Sequence, residues 1–329
     1  MPLPEFFVPW PFDSPHLQTL GAALPLYVRP PKAARDEPLR FPLPEGGALH
    51  GFAWWHEGPR PTVLLLHGVG GSVSSQYVVR AGKALFVEGY HVVRLNLRGA
   101  GESTADAPVL YHAGLTEDPR IACQVLRQRL EVKSLAVMGF SLGGHCALRF
   151  AAEERSSHSL LDAAVSFSAP LDLASVSRLM NRPLNLPYRA YILRGLVRQA
   201  RAFAQLHPQR ATSWDDARLK RIRTIWAYDD LVVAPMHGFR DAADYYAKMS
   251  TGPLLQDIAL PTLVVHAEDD PIVPGHTVRA LLDARSPSTE LAWSRRGGHV
   301  GWFSGLGEAS WLRTWALEQA LAFLGRALH

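Results

Sequence analysis

The run Gly139-Phe140-Ser141-Leu142-Gly143, with a further glycine at Gly144, constrains this chain more than any other stretch. An apolar segment, Leu135 to Met138, leads into it, and a helix-like segment, Cys146 to Glu154, leads out. A glycine-flanked serine between a buried strand and a helix reads as a nucleophile elbow. The turn is tight enough to strain the serine backbone. Side chains at the flanking positions would meet the neighbouring strand and helix, so glycine fills them. The strain lifts the Ser141 hydroxyl above the sheet edge, and the following helix aims its N-terminus at the same point. The ordinary alternative is a small-residue turn with no chemistry, and the strand–turn–helix context favours the elbow.

The 329 residues fit one large α/β domain with an insertion, or two small domains. With 47% hydrophobic and 19% charged residues, the chain reads as globular rather than disordered. A net charge of +4 is too mild to imply nucleic acid. Cys123 and Cys146 form no framework pattern, which points to a reducing compartment, the cytoplasm, with Cys146 as core packing on the elbow helix. The proline-rich start lacks a basic stretch followed by an apolar one, so no signal peptide is expected. No apolar run approaches the roughly 18 to 20 residues of a membrane span. Neither H-E-x-x-H nor another zinc-ligand spacing is present, and no metal or cofactor is expected.

Strand and helix signals alternate along most of the chain. Residues 1–36 form an arm, punctuated by prolines from Pro2 to Pro31. Leu39 to Leu43 and Ala48 to Trp55 read as strands joined at Glu45-Gly46-Gly47. Val63 to Leu66, His91 to Leu95, Leu135 to Met138, Ala163 to Phe167, Thr262 to His266 and Glu290 to Trp293 read as further strands. Helices are expected over Gln76 to Glu88, Glu117 to Leu130, Gly275 to Ala284 and Glu308 to Leu324. The alternation predicts a mostly parallel eight-stranded sheet with helices on both faces. Between Leu171 and Arg223 the strand signal lapses, and eleven basic residues face only three acids, Asp172, Asp215 and Asp216. Residues 171–223 are therefore expected to be a helical cap inserted into a single domain. Its charge is either a solvated face or a weak contact with an anionic substrate or membrane surface.

A serine hydroxyl needs a base to take its proton, and the base needs an acid to orient it. On an α/β-hydrolase fold the chain order is serine, acid, histidine. Downstream of Ser141, Glu268-Asp269-Asp270-Pro271-Ile272-Val273-Pro274 follows the strand Thr262 to His266. Of the adjacent acids only one can point at the site. Asp270, four residues before Pro274 as is common in these hydrolases, is preferred, with Asp269 as a turn or helix cap. Gly297-Gly298-His299-Val300-Gly301 follows the last strand, and His299 is the expected base. The oxyanion of an acyl-transfer intermediate needs two backbone N–H donors. Leu142, after the nucleophile, supplies one. Val69, in the loop His67-Gly68-Val69-Gly70-Gly71 after the strand Val63 to Leu66, supplies the other. That loop lacks the G-x-x-x-x-G-K-[ST] pattern of a phosphate cradle.

Several further signatures stand in order along the chain. They are His16-Leu17-Gln18-Thr19-Leu20, Asn96-Leu97-Arg98-Gly99-Ala100-Gly101-Glu102-Ser103, Leu110-Tyr111-His112-Ala113-Gly114, Ser168-Ala169-Pro170-Leu171-Asp172-Leu173 and Ala234-Pro235-Met236-His237-Gly238-Phe239. With the elbow and the His299 loop they closely resemble the YheT-like group of α/β-hydrolases, related to eukaryotic abhydrolase-domain proteins that act on medium-chain lipid esters. The resemblance implies a cytoplasmic serine carboxylesterase that hydrolyses short- to medium-chain carboxylic or lipid esters through Ser141, Asp270 and His299, without a cofactor. Some relatives transfer acyl groups to alcohols, so an alcohol acyltransferase on the same triad is the alternative. A hydrolase-fold binding protein without turnover is a third reading. Gly68-Val69-Gly70-Gly71 departs from the His-Gly-Leu-Glu-Gly form associated with the group, which bears on the acyl pocket rather than on the backbone donors. The roles of His112 and His237 stay open between structure and function, and Arg98 and Glu102 are expected to structure a loop near the site.

Overall fold

The computed structural model describes residues 6–8, 10, 12–23, 34–154, 159–304 and 314–328. A helix, α1 (Pro15–Ala23), lies in the N-terminal arm, whose residues 24–33 are outside the described ones. The first two strands, β1 (Glu37–Pro42) and β2 (Ala48–Trp54), form an antiparallel hairpin. Gly46 and Gly47 turn it with φ of +96° and +80°, a region open to glycine and strained for other residues.

The remaining strands are β3 (Arg60–Leu66), β4 (His91–Leu95), β5 (Val132–Phe140), β6 (Ala163–Phe167), β7 (Thr262–Ala267) and β8 (Thr289–Ser294). They complete one sheet in the order β1-β2-β4-β3-β5-β6-β7-β8. β2 runs antiparallel to β4, and every pairing from β4 to β8 is parallel. The helices α2 (Gln76–Val87), α3 (Ser103–Asp106), α4 (Glu117–Arg127) and α5 (Leu142–Glu153) connect these strands.

Side chains alternate across a strand, so a strand with helices on both sides is apolar throughout. Val63 and Leu65 of β3 pack with Val78 and Leu85 of α2, whereas Leu64 and Leu66 pack with Leu126 of α4 and Leu148 of α5. The last helix of the chain, α13 (Trp315–Ala327), joins the α2 side through Ala320 and Phe323. It is capped by the Thr314 side chain, which accepts the Leu317 N–H. The first residues of the helix expected from Glu308 lie outside the described ones, and α13 continues past Leu324.

Between β6 and β7 the chain is helical. It runs through α6 (Leu173–Leu179), α7 (Leu186–Leu206), α8 (Asp216–Arg221) and α9 (Ile225–Tyr228). A π-helical turn (Asp229–Val233), α10 (Ala234–Met236), α11 (Ala242–Met249) and a 3₁₀ turn (Gly252–Asp257) follow. Asp172, Asp215, Thr224 and Asp241 each cap a helix by accepting a backbone N–H three residues on. This segment has its own apolar core, including Met180, Ile192, Phe203 and Trp214, which meets the sheet domain at Leu110 and Ala113.

The helix expected over Gly275 to Ala284 is broken. A 3₁₀ turn, Gly275–Thr277, is followed by α12 (Arg279–Asp283), because Val278 sits at φ −118° and interrupts the helical run. Among the described residues no helix is long and apolar enough to cross a membrane.

Candidate active site

Ser141 follows β5 with φ +53° and ψ −118°, a conformation costly for a residue with a Cβ. Its neighbours hold it there. The Ser141 N–H donates to Phe167 O at 2.8 Å, and Ser141 O accepts the His145 N–H at 2.9 Å. A Cβ on Gly139 would stand 2.0 Å from Gly143 O, one on Gly143 2.5 Å from Leu66 O and His67 O, and one on Gly144 2.7 Å from Ser166 Oγ. The flanking glycines are therefore a packing requirement of the turn.

Asp270 and His299 come from the loops after β7 and β8. His299 Nδ1 lies 2.7 Å from Asp270 Oδ2, and Asp270 is buried. Asp270 Oδ1 accepts the N–H groups of Ile272 and Val273, each at 2.8 Å. Burial alone would raise this carboxyl. The charge and hydrogen bond of His299, the nearby His266 and the Val273 N–H together outweigh burial and hold it below the ordinary carboxylate value. An ionised Asp270 accepts Nδ1–H and leaves Nε2 as the basic nitrogen. Among the described residues no hydrogen bond joins Ser141 to His299, although both line one cavity. Unliganded hydrolases commonly close that distance only with substrate bound.

Asp269, expected to cap a turn or helix, instead holds the histidine loop. Its Oδ1 accepts the Gly298 N–H at 2.9 Å. The loop needs such anchors because Gly298 and Val300 sit at φ +59° and +60°. The arm supplies others: the His299 N–H donates to Thr19 Oγ1 at 2.9 Å. Gln18 bonds both backbone groups of Phe303, donating to O at 2.9 Å and accepting from N at 2.7 Å.

The loop after β3 is fixed by side chains distant in sequence. Buried His67 uses Nδ1 on Gly68 O at 2.8 Å and Nε2 on the Leu97 N–H at 3.2 Å. Burial lowers its pKa to about 4, so the ring is neutral and serves structure. The Gly68 N–H donates to Tyr77 Oη at 2.9 Å, and the Gly70 N–H to Tyr111 Oη at 2.6 Å. The Gly71 N–H turns back to Gly68 O. The N–H groups of Val69 and Leu142 have no acceptor among the described residues. Tyr77 and Tyr111 were not anticipated, because nothing local marks a hydroxyl that bonds a loop 9 or 41 residues away.

Ser141, His299, Val69 and Leu142 all border a cavity of about 520 Å³. Asp270 stands behind His299. The wall is mostly apolar, much of it from the helical segment between β6 and β7, and its polar members include Tyr228, Tyr245, Tyr246, Ser177, His112 and Asp229. Sequence reading missed Asp229. The rings of His112 and His237 lie 4.4 Å apart, and His237 Nε2 bonds Leu110 O at 2.8 Å. Burial lowers both pKa values, leaving neutral rings. Arg98 is buried and ion-paired with Glu45, Glu117 and Asp118, and the Glu102 carboxylate accepts from Asn96 Nδ2 at 2.5 Å. Among the described residues no three histidine, cysteine, aspartate or glutamate side chains gather as a metal site.

A mostly parallel eight-stranded sheet with a strained serine after β5 has the architecture of the α/β hydrolases. The sequence pattern described as the alpha/beta hydrolase fold matches residues 61–304. YheT of Escherichia coli strain K12, provisionally named an esterase, is 32% identical over 92% of this chain and 88% of its own length. A monoacylglycerol lipase of Saccharomyces cerevisiae is 30% identical over 77% of this chain and 57% of its own length. A solved structure of the Pyrococcus furiosus esterase Pf2001 shares the fold over 100% of both chains, with a TM-score of 0.59 at 16% identity. The chain belongs to the α/β-hydrolase family and, within it, to the YheT-like group. It is an esterase- or lipase-like member of that fold.

Proposed function

We propose that the protein is a serine carboxylesterase that hydrolyses short- to medium-chain carboxylic or lipid esters. The observation that carries this reading is the buried Asp270–His299 pair at 2.7 Å, with His299 bordering the same cavity as the strained Ser141. Ser141 Oγ attacks the ester carbonyl carbon while His299 Nε2 takes its proton. The Val69 and Leu142 N–H groups, free of other acceptors, hold the oxyanion. As the intermediate collapses, His299 returns the proton to the leaving alcohol and an acyl-enzyme remains. Water, deprotonated by His299, then releases the acid and restores Ser141.

The mostly apolar cavity suits an acyl chain, and the yeast relative named a monoacylglycerol lipase agrees with a lipid ester as substrate. In this reading the chain is a single domain with an arm at 1–36 and a cap at 171–223. Two buried free cysteines, Cys123 and Cys146, fit a reducing compartment such as the cytoplasm. Arg194 and Arg198 are exposed on α7 without an acid partner among the described residues, and they are the groups that would meet an anionic membrane surface.

A panel of p-nitrophenyl esters from acetyl to palmitoyl tests the proposal. Turnover that peaks at short or medium chains supports it, and no turnover across the panel overturns it. Added ethanol, with analysis for ethyl esters, separates hydrolysis from acyl transfer.

A further inference from the structure

One buried carboxylate in the cavity takes no part in the chemistry proposed above. Asp229 opens the π-helical turn and is 8% exposed. Its Oδ2 accepts the Tyr246 hydroxyl at 2.5 Å, and that hydroxyl lies 3.1 Å from Ser177 Oγ. Among the described residues no cation pairs with Asp229, and its Oδ1 has no hydrogen-bond partner. The adjacent Asp230 is engaged elsewhere, accepting the Ala242 N–H at 2.6 Å. A buried carboxylate without a counter-charge opposes folding, and such groups concentrate where they have a ligand to meet. Single π turns are rare and also concentrate at functional sites. Asp229, Tyr246 and Ser177 border the same cavity as Ser141 and His299, within walls such as Leu173, Met180 and Ile192. In a largely apolar pocket, a buried polar point left without a partner helps decide which substrate is preferred.

We propose that Asp229, oriented by Tyr246, is a specificity-determining residue that binds a hydroxyl group carried by the ester substrate. The proposal rests on the esterase reading for its substrate and on the cavity for its site. A hydroxyl fits better than an ammonium. Burial pushes the Asp229 carboxyl up to about 7, so the acid keeps its proton as far as about neutral pH. A neutral carboxyl both donates and accepts, which is what a hydroxyl requires, whereas a cation requires the carboxylate. The hydroxyl can sit on the acyl half or on the alcohol half of the ester.

Binding and turnover are measured separately on the whole protein. Calorimetric titration compares 1-hexanol with 1-fluorohexane, which are alike except that fluorine stands in place of the hydroxyl. The wild type is expected to bind the alcohol at least as tightly as the fluoride, despite the alcohol's better solvation in water. Asp229→Leu should weaken the alcohol by about tenfold or more and leave the fluoride unchanged or tighter, while Asp229→Asn should keep most of the alcohol affinity. A wild type that binds the fluoride more than about tenfold tighter than the alcohol overturns the proposal, whether or not Asp229→Leu folds.

Turnover uses two matched pairs: ethyl 8-hydroxyoctanoate against ethyl octanoate, and 2-hydroxyethyl octanoate against propyl octanoate. The pair in which kcat/KM favours the hydroxylated ester about tenfold identifies the half that carries the group. Ratios near one in both pairs overturn the proposal and leave esterase activity standing. Hydroxyl-dependent binding of the alcohol without turnover of any ester overturns the esterase reading and leaves the hydroxyl site standing.

Discussion

The Thr19 hydroxyl accepts the backbone N–H of His299 at 2.9 Å, across 280 residues of chain. Thr19 is in α1, on the N-terminal arm, and Gln18 beside it bonds both backbone groups of Phe303. The arm thus holds the loop that presents the proposed base. Asp269 grips the same loop from the other side through Gly298. A histidine between residues of positive φ is held by contacts from outside its loop, since the local backbone does not favour that conformation.

Thr19→Val keeps the shape and removes the acceptor. It should lower kcat about ten- to a hundredfold with a much smaller change in KM, because the base is displaced while the acyl cavity is kept. Thr19→Ser should restore most of the loss. Steady-state kinetics with one p-nitrophenyl ester makes the comparison. A loss that appears in KM alone would mean that Thr19 serves the cavity wall and not the base.

The neighbouring acids should separate by orders of magnitude. Asp270→Asn replaces the acceptor that orients Nδ1–H and should cost roughly three to four orders of magnitude in kcat. Asp269→Asn loses only a charged acceptor for Gly298 and should cost far less. Kinetics on both variants, with circular dichroism to verify folding, decides the ranking. The reverse order would move the orienting role to Asp269.

Gly139→Ala should destabilise the fold by about 3 kcal/mol or more, because its Cβ would stand 2.0 Å from Gly143 O and backbone has to move. Urea unfolding of the variant against wild type measures it. An unchanged midpoint would mean that the elbow is looser than its contacts indicate.

Asp229 carries a stability cost that depends on pH. Its folded pKa, about 7, lies above the ordinary value of 3.8. Between those values the folded state keeps a proton that the unfolded state has lost, so stability falls as pH rises through that window. Asp229→Asn removes the titration. The variant should therefore gain on the wild type between pH 4 and pH 8, by up to about 4 kcal/mol. Thermal unfolding of both proteins at several pH values gives the difference, and a gap that stays constant or shrinks would show that Asp229 ionises at its ordinary pKa.

Much of the fold was legible because its signals are local. Val63 to Leu66 could be read as a buried strand from its own composition, and the turn at Gly46-Gly47 from its glycines. Ser141 could be placed between strand and helix for the same reason. The supports of the site were not legible. Thr19, Tyr77 and Tyr111 act on loops that are remote in sequence, and no local pattern marks them. Asp229 was hidden differently. Beside Asp230 it reads as part of a solvated acidic pair, and only the π turn and the packing of α11 bury one acid and leave the other outside. The break at Val278 escaped because the flanking residues all suit a helix, and tertiary packing overrides such weak propensities.

The most direct test of the central claim is covalent. The purified protein is treated with a fluorophosphonate, digested and examined by mass spectrometry, with esterase activity followed in parallel. One adduct on the peptide carrying Ser141, with activity lost in proportion to labelling, and neither label nor activity in Ser141→Ala, is the predicted result. Ester hydrolysis that survives in Ser141→Ala, or an adduct on another residue that tracks the loss of activity, would contradict it.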